Sequence, residues 1–576
     1  MKCYNKILIL LLLAFIFVSC DKQILDLESL TEPVDATFFS NEKELELALT
    51  GTYNSLIRMN YGVPYQMAMD NGGSDIGISR GCEFDDLGAG SHSATTGSFQ
   101  NLYSFYYRGI GRANNLLQNM KRAEDVVSEK RYLEIEAQAL VLRAYYYHYL
   151  TEFFGDVPYI DFVASSPKDG LLPRTPKSTI ADKMLEDLQT ASLSLPLTWS
   201  DRGRITKGAA LGLRARIALY NGKYAEAAAS AKAVMDIEGS AGYSLYSDYK
   251  GLFQRAGENS SEVMFAMPFK DGFGTSNYGV TIGSRNRGGY TVMAPTQSMI
   301  DSYEASDGLP IDESAVYNPS KPFENRDPRL KASIVTPQSA WAGFIFESHP
   351  DSLTYRLVDG TFAGSNKDCR KVVWPPAFCG YIWKKYNDED AQKINQTWSE
   401  IDYSLLRYAE VLLTYAEAKI ELGEIDASVL NAINRIRARA YSVNVSNTGS
   451  YPAITTMNQT ELRKIIRRER KVELANEGLR LFDIRRWRIA EKVMPVPIYG
   501  RILNEKTATL VPNIDEDSFV SYKGVESQYD LNKDARFTNA QNRLFNKLRD
   551  YLCPIPQSEI DTYAGFGLTL EQNPSY

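Results

Sequence analysis

Two segments with the pattern helix, glycine turn, helix constrain the fold of this chain most strongly. The first covers residues 207–235 and turns at Asn221-Gly222, and the second covers residues 405–440 and turns at Gly423. Small and aromatic residues recur along both at helical spacing. They are Ala215, Ala218, Tyr220, Tyr224, Ala227, Ala228 and Ala231 in the first segment, and Ala409, Tyr415, Ala416 and Ala418 in the second. Because small side chains allow two antiparallel helices to approach closely, we predict two helical hairpins.

Each hairpin resembles a tetratricopeptide unit, in which Ala, Gly and Tyr recur at fixed places. A pair of ordinary antiparallel helices is the alternative. The two units lie far more than one repeat period apart, so we do not predict a continuous solenoid. Periodicity predicts further helices over residues 42–57, 101–120, 132–154 and 180–193. The predicted fold class is therefore all-α, with little β structure.

The middle of the chain differs in composition. Residues 237–400 and 60–100 are rich in Gly, Ser, Asn, Pro and aromatic residues, with one strand-like run at Val263–Met267. Long ordered loops in compact proteins are usually functional, so we expect the ligand site there. Residues 463–488 predict an amphipathic helix whose interleaved Arg and Glu indicate a solvated face or an ion-pair network. Residues 504–546 are polar and predicted to be irregular.

The N-terminus predicts export. Lys2 and Lys6 precede an apolar run from Ile7 to Val18, which is shorter than the ~20 residues of a spanning helix and typical of a signal peptide. Ser19-Cys20 then resembles a lipobox. We therefore expect a lipoprotein signal peptide over residues 1–19 and membrane attachment through an acylated Cys20. An ordinary signal peptide with a chance cysteine is the alternative.

The composition and motifs argue against several functions. A formal net charge of −7 gives no electrostatic footprint for nucleic acid. Residues 77–81 read G-x-S-x-G, but no helical pattern follows, as a hydrolase nucleophile would require. The acidic run Asp388-Glu389-Asp390 lacks the alternating pattern of a Ca²⁺ loop, although its spacing leaves Ca²⁺ binding open. We predict no catalytic residues, no metal centre and no cofactor. Cys369 and Cys379 either form a disulfide or remain thiols.

The segment from Ile466 to Trp487 resembles the most distinctive part of the SusD/RagB lipoproteins. Other matching segments follow the order of that family. They are Cys20, Phe38-Phe39, Leu102-Tyr103 through Ala113-Asn114, Arg143–Tyr146 through Phe154–Pro158, Arg326–Leu330, Leu406–Glu410, Tyr551–Pro556 and Asn573–Tyr576. Together these matches span essentially the whole mature chain.

This resemblance implies an α-helical scaffold of tetratricopeptide-like hairpins, decorated by loops that bind the ligand. It also implies a non-catalytic outer-membrane lipoprotein of the Bacteroidota type, exposed at the cell surface, which closes over a SusC-like TonB-dependent barrel. Family ligands are mostly oligosaccharides, and a minority of members bind peptides. We expect one fold over residues 20–576, with a helical part at 20–236, a loop-rich insertion at 237–400 and a second helical part at 401–576.

Candidate ligand-binding residues follow from the chemistry of sugars. The C–H face of a sugar ring packs on an aromatic ring, while Asp and Arg exchange hydrogen bonds with hydroxyl groups. The candidates are Tyr65, Phe84, Tyr278, Tyr290, Trp341, Phe344 and Trp374 among aromatic residues, and Asp75, Arg80, Asp85, Arg285 and Arg287 among polar ones. We expect Ala at Trp341, Tyr290 and Phe84 to weaken glycan binding with little loss of stability.

Three other functions stay open at this point. The first is peptide capture for a similar transporter. The second is a surface glycoside hydrolase that uses two of the many acidic residues. The third is a scaffold whose helical hairpins bind only other proteins. The loop aromatics favour a glycan over these alternatives.

Overall fold

A computed structural model describes residues 38–201, 203–369, 379–502, 508–526 and 543–576. The predicted signal peptide, Cys20 and Trp374 lie outside the described residues. None of the helices in the described ranges combines the length and apolar composition that a membrane span requires.

Helices form most of the regular structure, and the predicted all-α class is confirmed. They are α1 (Glu42–Asn54), α2 (Tyr65–Gly73), α3 (Asp85–Ala89), α4 (Gly97–Asn119), α5 (Glu129–Phe154), α6 (Lys177–Ser194), α7 (Lys207–Tyr220), α8 (Tyr224–Asp236), α9 (Glu238–Ala241), α10 (Tyr278–Thr281), α11 (Gln297–Ser302), α12 (Arg329–Ser333), α13 (Glu389–Lys393), α14 (Tyr408–Leu422), α15 (Ala427–Ala440), α16 (Gln459–Glu473), α17 (Arg480–Arg486), α18 (Ala490–Val493) and α19 (Gln557–Gly565).

The strands are short, and each sheet in the described part of the chain is an antiparallel pair. The pairs are β1 (Met59–Asn60) with β2 (Val63–Pro64), β3 (Gly77–Ser79) with β7 (Met293–Pro295), β4 (Val157–Pro158) with β5 (Arg174–Thr175), β6 (Val263–Met267) with β14 (Tyr403–Arg407), β8 (Ile334–Val335) with β13 (Ile382–Trp383), β9 (Ala340–Trp341) with β10 (Phe344–Ile345), β11 (Thr354–Arg356) with β12 (Phe362–Ser365), and β15 (Asn513–Ile514) with β16 (Val520–Ser521).

Both predicted hairpins are present and lie side by side. The first pairs α7 with α8 through a turn at Gly222, and the second pairs α14 with α15 after Gly423; both glycines have positive φ. Helices α4 to α8 pack in succession, and α8 then packs on α14. The seam residues Ala215, Ala227 and Ala416 are completely buried. The stack therefore brings together two hairpins that are distant in the sequence.

The predicted helix over residues 405–422 begins too early. Residues 403–407 form β14, which pairs with β6, and the helix starts at Tyr408. The backbone of Arg407 is extended, with φ −135° and ψ 160°. Pairing with a strand more than 130 residues away in the sequence overrides the local helical pattern.

The single helix predicted over residues 463–488 is also wrong, because α16 ends at Glu473 and α17 begins at Arg480. Asn476 and Gly478 between them adopt positive φ values of 63° and 78°. The backbone there packs so closely on α2 that a Cβ at Gly478 would lie 2.3 Å from Cβ of Gln66. A tertiary contact thus interrupts the helical periodicity.

The charges of α16 form an ion-pair network inside the protein. Glu473 is buried and accepts hydrogen bonds from Arg407, Arg439 and Arg329. Burial alone would raise the pKa of Glu473, but these three guanidinium groups outweigh burial and hold the pKa well below its ordinary value. Since Arg407 ends β14 and Arg329 begins α12, the network joins the loop-rich segment to the C-terminal helices.

Candidate functional site

A tight loop at residues 284–292 forms the base of the candidate site. It leaves α10, makes a 3₁₀ turn at Arg285–Arg287 and enters β7. The oxygen of Ser284 accepts from the Asn286 amide and caps this turn. Because β7 pairs with β3, the Arg80 amide donates to the Val292 carbonyl at 3.0 Å. Strand pairing thus places Arg80 beside the loop.

Buried polar groups hold this loop from beneath. Asp368 is completely buried and accepts from the Ser284 hydroxyl at 2.5 Å, the Arg285 amide at 2.8 Å and the Asn286 side chain at 2.8 Å. Burial raises the pKa of Asp368 to about 6, although these hydrogen bonds oppose the shift. The Lys367 amide also donates to Asn286 at 2.7 Å. These contacts fix the backbone from which Arg285, Arg287 and Tyr290 extend.

Arg80, Arg285, Arg287, Tyr290 and Tyr61 define what we call the Arg–Tyr cluster. Tyr290 is 54% exposed, and the Arg285 guanidinium carbon lies 5.5 Å from the centre of its ring. The Arg80 side chain donates to the main-chain carbonyls of Tyr290 and Thr291. Burial, together with the neighbouring Arg285, lowers the pKa of Arg80 to about 10. The pKa of Arg285 is also lowered, mainly by burial.

Tyr61 contributes the second exposed ring, 53% accessible, from the tip of the β1–β2 hairpin. Its carbonyl accepts from Thr281 at 2.6 Å, and the next carbonyl, of Gly62, accepts from the Asn277 amide at 2.6 Å. A Cβ on Gly81 would lie 3.0 Å from the Tyr61 hydroxyl. The ring therefore stands beside the Arg80-Gly81 turn. Our sequence reasoning missed Tyr61, although its place in the aromatic-rich stretch 60–100 was a signal.

Two more exposed aromatic residues lie in segments of the chain that adjoin the cluster. Phe273 is 90% exposed and Trp398 is 38% exposed, and Ser276 and Ser399 join their segments by a β-bridge. A Cβ at Gly288 would lie 3.6 Å from Cγ2 of Thr397, so the segment before Trp398 contacts the loop at 284–292. Sequence reasoning missed both rings. Their exposure gives the surface a second set of apolar faces beyond Tyr61 and Tyr290.

Comparison with known proteins identifies the family. Residues 255–576 match the family model described as the SusD family, and residues 43–219 match one described as starch-binding associating with outer membrane. This chain belongs to the SusD family. SusD-family proteins bind ligands without transforming them, which confirms the prediction that the protein is not an enzyme. The second match supports an association with the outer membrane.

Relatives and solved structures agree with the family match. SusD-like protein P2 of Formosa agariphila is 27% identical over 513 residues, covering 86% of this chain and 92% of the relative. A SusD-like carbohydrate binding protein from Bacteroides fragilis is similar in structure, with a TM-score of 0.76, 26% identity and coverage of 91% of this chain and 99% of the other. A laminarin binding SusD-like protein shares the fold, with a TM-score of 0.63, 19% identity and coverage of 93% and 100%.

Five of the aromatic candidates in this SusD-family protein are buried among other side chains, so the structure does not bring them to the surface with Tyr290. They are Tyr65, Phe84, Tyr278, Trp341 and Phe344. Phe84 packs between Tyr65 and Phe153, with ring centres 4.6 and 5.9 Å away. Trp341 and Phe344 face each other across the β9–β10 hairpin in a small hydrophobic cluster. Loop residues have no helical or strand periodicity from which one could predict which side chains face the core.

The acidic candidates hold the structure together. Asp75 is buried and accepts from Arg480 at 2.7 Å and Lys471 at 3.0 Å. Burial would raise the pKa of Asp75, but these two cations outweigh it and lower the pKa far below its ordinary value. Asp85 accepts from the Ser79 hydroxyl and from the amides of Gly81 and Cys82. Asp85 therefore fixes the turn that presents Arg80.

The motifs that could suggest other chemistry have structural roles. Ser79 of the G-x-S-x-G motif is buried in β3. The short helix α3 does follow the motif, contrary to the expectation, but a bend and a turn at residues 80–84 separate it from the strand. Asp388 caps α13 by accepting from the Ala391 amide. Within the described ranges, no group of His, Cys, Asp and Glu is arranged to hold a metal ion. The disulfide left open between Cys369 and Cys379 is not formed; the Cys369 thiol donates to the Pro350 carbonyl.

A separate cavity of about 200 Å³ lies between Trp199 and Asp402. Burial raises the pKa of Glu258 at its wall to about 7 and that of Asp402 to about 6. The volume is below the ~300–1,000 Å³ of typical ligand pockets. Because the family is not enzymatic, we do not interpret these two carboxyl groups as the acids of a glycoside hydrolase. The open Arg–Tyr cluster is the better candidate site.

Proposed function

We propose that this protein binds a glycan at the Arg–Tyr cluster, on the cell surface, and delivers it to a SusC-like TonB-dependent outer-membrane transporter. The observation that supports the proposal most strongly is the pair of exposed rings, Tyr61 and Tyr290, whose residues both contact the Arg80-Gly81 turn. The names of related proteins agree with this proposal, since they include a starch-binding protein and a carbohydrate binding protein.

The chemistry of the cluster suits a sugar. An aromatic ring presents an electron-rich face that attracts the C–H groups of a pyranose. Tyr also loses little conformational entropy on binding, because it has only two side-chain torsions. Arg285 lies against the Tyr290 ring and Arg287 lies in the same 3₁₀ turn, so both can donate hydrogen bonds to oxygen atoms of the same sugar or its neighbour. Stacking and hydrogen bonding therefore act together on one face of the ligand.

The openness of the site favours a chain over a single sugar. Tyr61 and Tyr290 lie on the surface, and each ring alone offers one contact. A long glycan engages several such contacts at once, and the second contact is then intramolecular, with a high effective concentration. Phe273 and Trp398 extend the exposed aromatic surface in support of this arrangement. The proposed ligand is consequently an oligo- or polysaccharide.

The remaining parts of the proposal concern anchoring and the partner. We place the lipid anchor at Cys20, which would hold the protein at the outer membrane, in agreement with the description of the N-terminal family match. One fold over residues 20–576 is supported by a main hydrophobic core that includes Leu49, Tyr278 and Leu412, one from each proposed part. Peptide capture remains the second candidate function.

The decisive experiment is migration of the soluble protein, starting after Cys20, through native gels cast with different polysaccharides. We expect one polysaccharide to slow the wild type and to have no effect on the Tyr61→Ala/Tyr290→Ala double variant. Phe566→Ala is the matched control, because it removes a ring that is 49% exposed on the chain following α19. Its migration should be slowed as much as that of the wild type.

Two outcomes would contradict the proposal. Equal slowing of the double variant and the wild type would move the site elsewhere. If no polysaccharide slowed the migration of the protein and calorimetry showed that the protein binds peptides, the peptide alternative would be established. Co-purification of the full-length protein with a barrel from detergent-solubilised membranes tests the transporter partner.

A further inference from the structure

We propose that the glycan is anionic, and that its carboxylate or sulfate groups pair with Arg285 and Arg287. The inference rests on the proposed function, since it assigns a chemical class to the ligand of the same cluster.

Among the residues that the structure describes, Arg285 and Arg287 have no carboxylate partner of the kind that several buried arginines have. Arg407, Arg329 and Arg437 are buried and each is paired with two or more carboxylates. Across the described ranges, neither Arg285 nor Arg287 lies within ion-pair distance of an acidic side chain.

The acidic group facing the turn is already engaged. Asp368 accepts from Ser284, Asn286 and the Arg285 main-chain amide. Asp85, beyond Arg80, accepts from the amides of its own turn. Among these described residues, the three guanidinium groups of Arg80, Arg285 and Arg287 outnumber the two carboxyl groups of Asp85 and Asp368, in a chain whose net charge is −7.

Several guanidinium nitrogens of the two arginines are buried without a hydrogen-bond partner. They are Nε and Nη1 of Arg285 and Nε of Arg287. A partly buried guanidinium without a carboxylate partner is not compensated for the hydration that it loses. The nitrogens that are not buried, Nη2 of Arg285 and both Nη1 and Nη2 of Arg287, can donate to a ligand oxyanion. The two nitrogens of Arg287 match a carboxylate or sulfate in a bidentate arrangement.

Aromatic rings hold both guanidinium groups in place. The guanidinium carbon of Arg285 lies 5.5 Å from the centre of the Tyr290 ring, and that of Arg287 lies 5.3 Å from the centre of the Phe344 ring. These cation–π contacts restrict the long side chains before a ligand arrives. Such preorganisation reduces the entropy lost on binding. A sugar at Tyr290 would thus bring its charged substituent towards donors that are already positioned.

The test measures binding of matched neutral and charged polysaccharides. We would compare polygalacturonate with its fully methyl-esterified form, and dextran sulfate with dextran, in native gels and by calorimetry. The wild type should bind one charged member and not its neutral counterpart. The first pair reports carboxylates and the second reports sulfates. Raising the salt concentration from about 50 to 500 mM should weaken binding, since screening is stronger at high ionic strength.

The variants are Arg285→Gln/Arg287→Gln and, as a control, Arg108→Gln/Lys183→Gln. The control removes the same charge from exposed positions on α4 and α6. We expect the first variant to bind at least about tenfold more weakly, as loss of charge-assisted hydrogen bonds implies. The control should bind as the wild type does. Circular dichroism establishes that both variants are folded.

The wild type could instead bind a neutral polysaccharide. If Tyr61→Ala/Tyr290→Ala abolished that binding and Arg285→Gln/Arg287→Gln left it unchanged, the inference of an anionic ligand would be refuted and the proposed function would stand. Equal binding of a charged polysaccharide by the arginine variant and its control would also overturn the inference. Failure of every polysaccharide to bind the wild type would refute the proposed function, and the inference would fall with it.

Discussion

Replacing Glu304 by Gln tests how the loop-rich segment is attached to the helices. Glu304 follows α11 and is buried. Its Oε2 accepts from Arg437 Nη2 at 2.5 Å, and its Oε1 accepts from Arg468 Nε at 2.6 Å. Arg437 belongs to α15 and Arg468 to α16, so one carboxylate joins a loop to two helices.

The pKa of Glu304 gives the magnitude of this attachment. Burial would raise the pKa from its ordinary value of 4.5, but Arg437 and Arg468 outweigh burial and lower it to about 2. Each pKa unit corresponds to ~1.4 kcal/mol, so the charged form contributes about 3 kcal/mol to the free energy of unfolding at neutral pH. Glu304→Gln keeps the shape of the side chain and removes this contribution.

Urea denaturation at pH 7 measures the loss. We expect Glu304→Gln to lower the free energy of unfolding by about 3 kcal/mol. Glu324→Gln is the matched control, because Glu324 pairs with Lys321 on the surface. Exposed pairs contribute little, so the control should lose less than ~1 kcal/mol.

The dependence on pH provides an independent check. Because the folded pKa is depressed, the stabilisation is fully present above pH 4.5 and is lost as pH falls towards 2. The difference in unfolding free energy between wild type and Glu304→Gln should therefore narrow by about 2 kcal/mol between pH 7 and pH 3. A loss below about 1 kcal/mol at pH 7, or a difference that stays constant with pH, would refute the reasoning.

Two further substitutions test the corrections to the sequence predictions. Gly478→Ala should lower the free energy of unfolding by at least about 2 kcal/mol, since φ is +78° and the new Cβ would lie 2.3 Å from Cβ of Gln66. Gly423→Ala has a similar φ of +72°, but its Cβ would only contact the Gln459 side-chain nitrogen at 3.7 Å, so it should cost about 1 kcal/mol by denaturation. Equal losses would argue against close packing at Gly478. Trp341→Ala should cost about 3–5 kcal/mol because the ring is buried, and exposed Phe362→Ala less than ~1 kcal/mol. A stable Trp341→Ala variant with weakened glycan binding would instead restore Trp341 as a ligand contact.

The helical class and much of the scaffold could be predicted from local patterns in the sequence. Small residues at helical spacing on both sides of Gly222 and Gly423 predict hairpins, because each glycine readily adopts the positive φ that ends the first helix. The resemblance of residues 466–487 to the SusD/RagB lipoproteins pointed to the family that the comparison then showed. These signals are local, so one sequence is sufficient to detect them.

The site depended on contacts between distant residues. Tyr278 and Tyr290 lie twelve positions apart in the same loop-rich stretch, yet the first is completely buried and the second is 54% exposed. No periodicity distinguishes the two, because the loop's path is set by Asp368 beneath it.

Which candidate residues lie close together depends on how distant segments pair and pack in the folded chain. Pairing of β3 with β7 brings Arg80 to Tyr290, although the two residues are separated by 210 positions. The β1–β2 hairpin places Tyr61 against Gly81, and close packing of Gly478 on Gln66 ends a helix that periodicity would continue. Hydrogen bonds between distant strands and close backbone contacts form only in the folded chain. They determine which of many similar side chains lie together in the Arg–Tyr cluster.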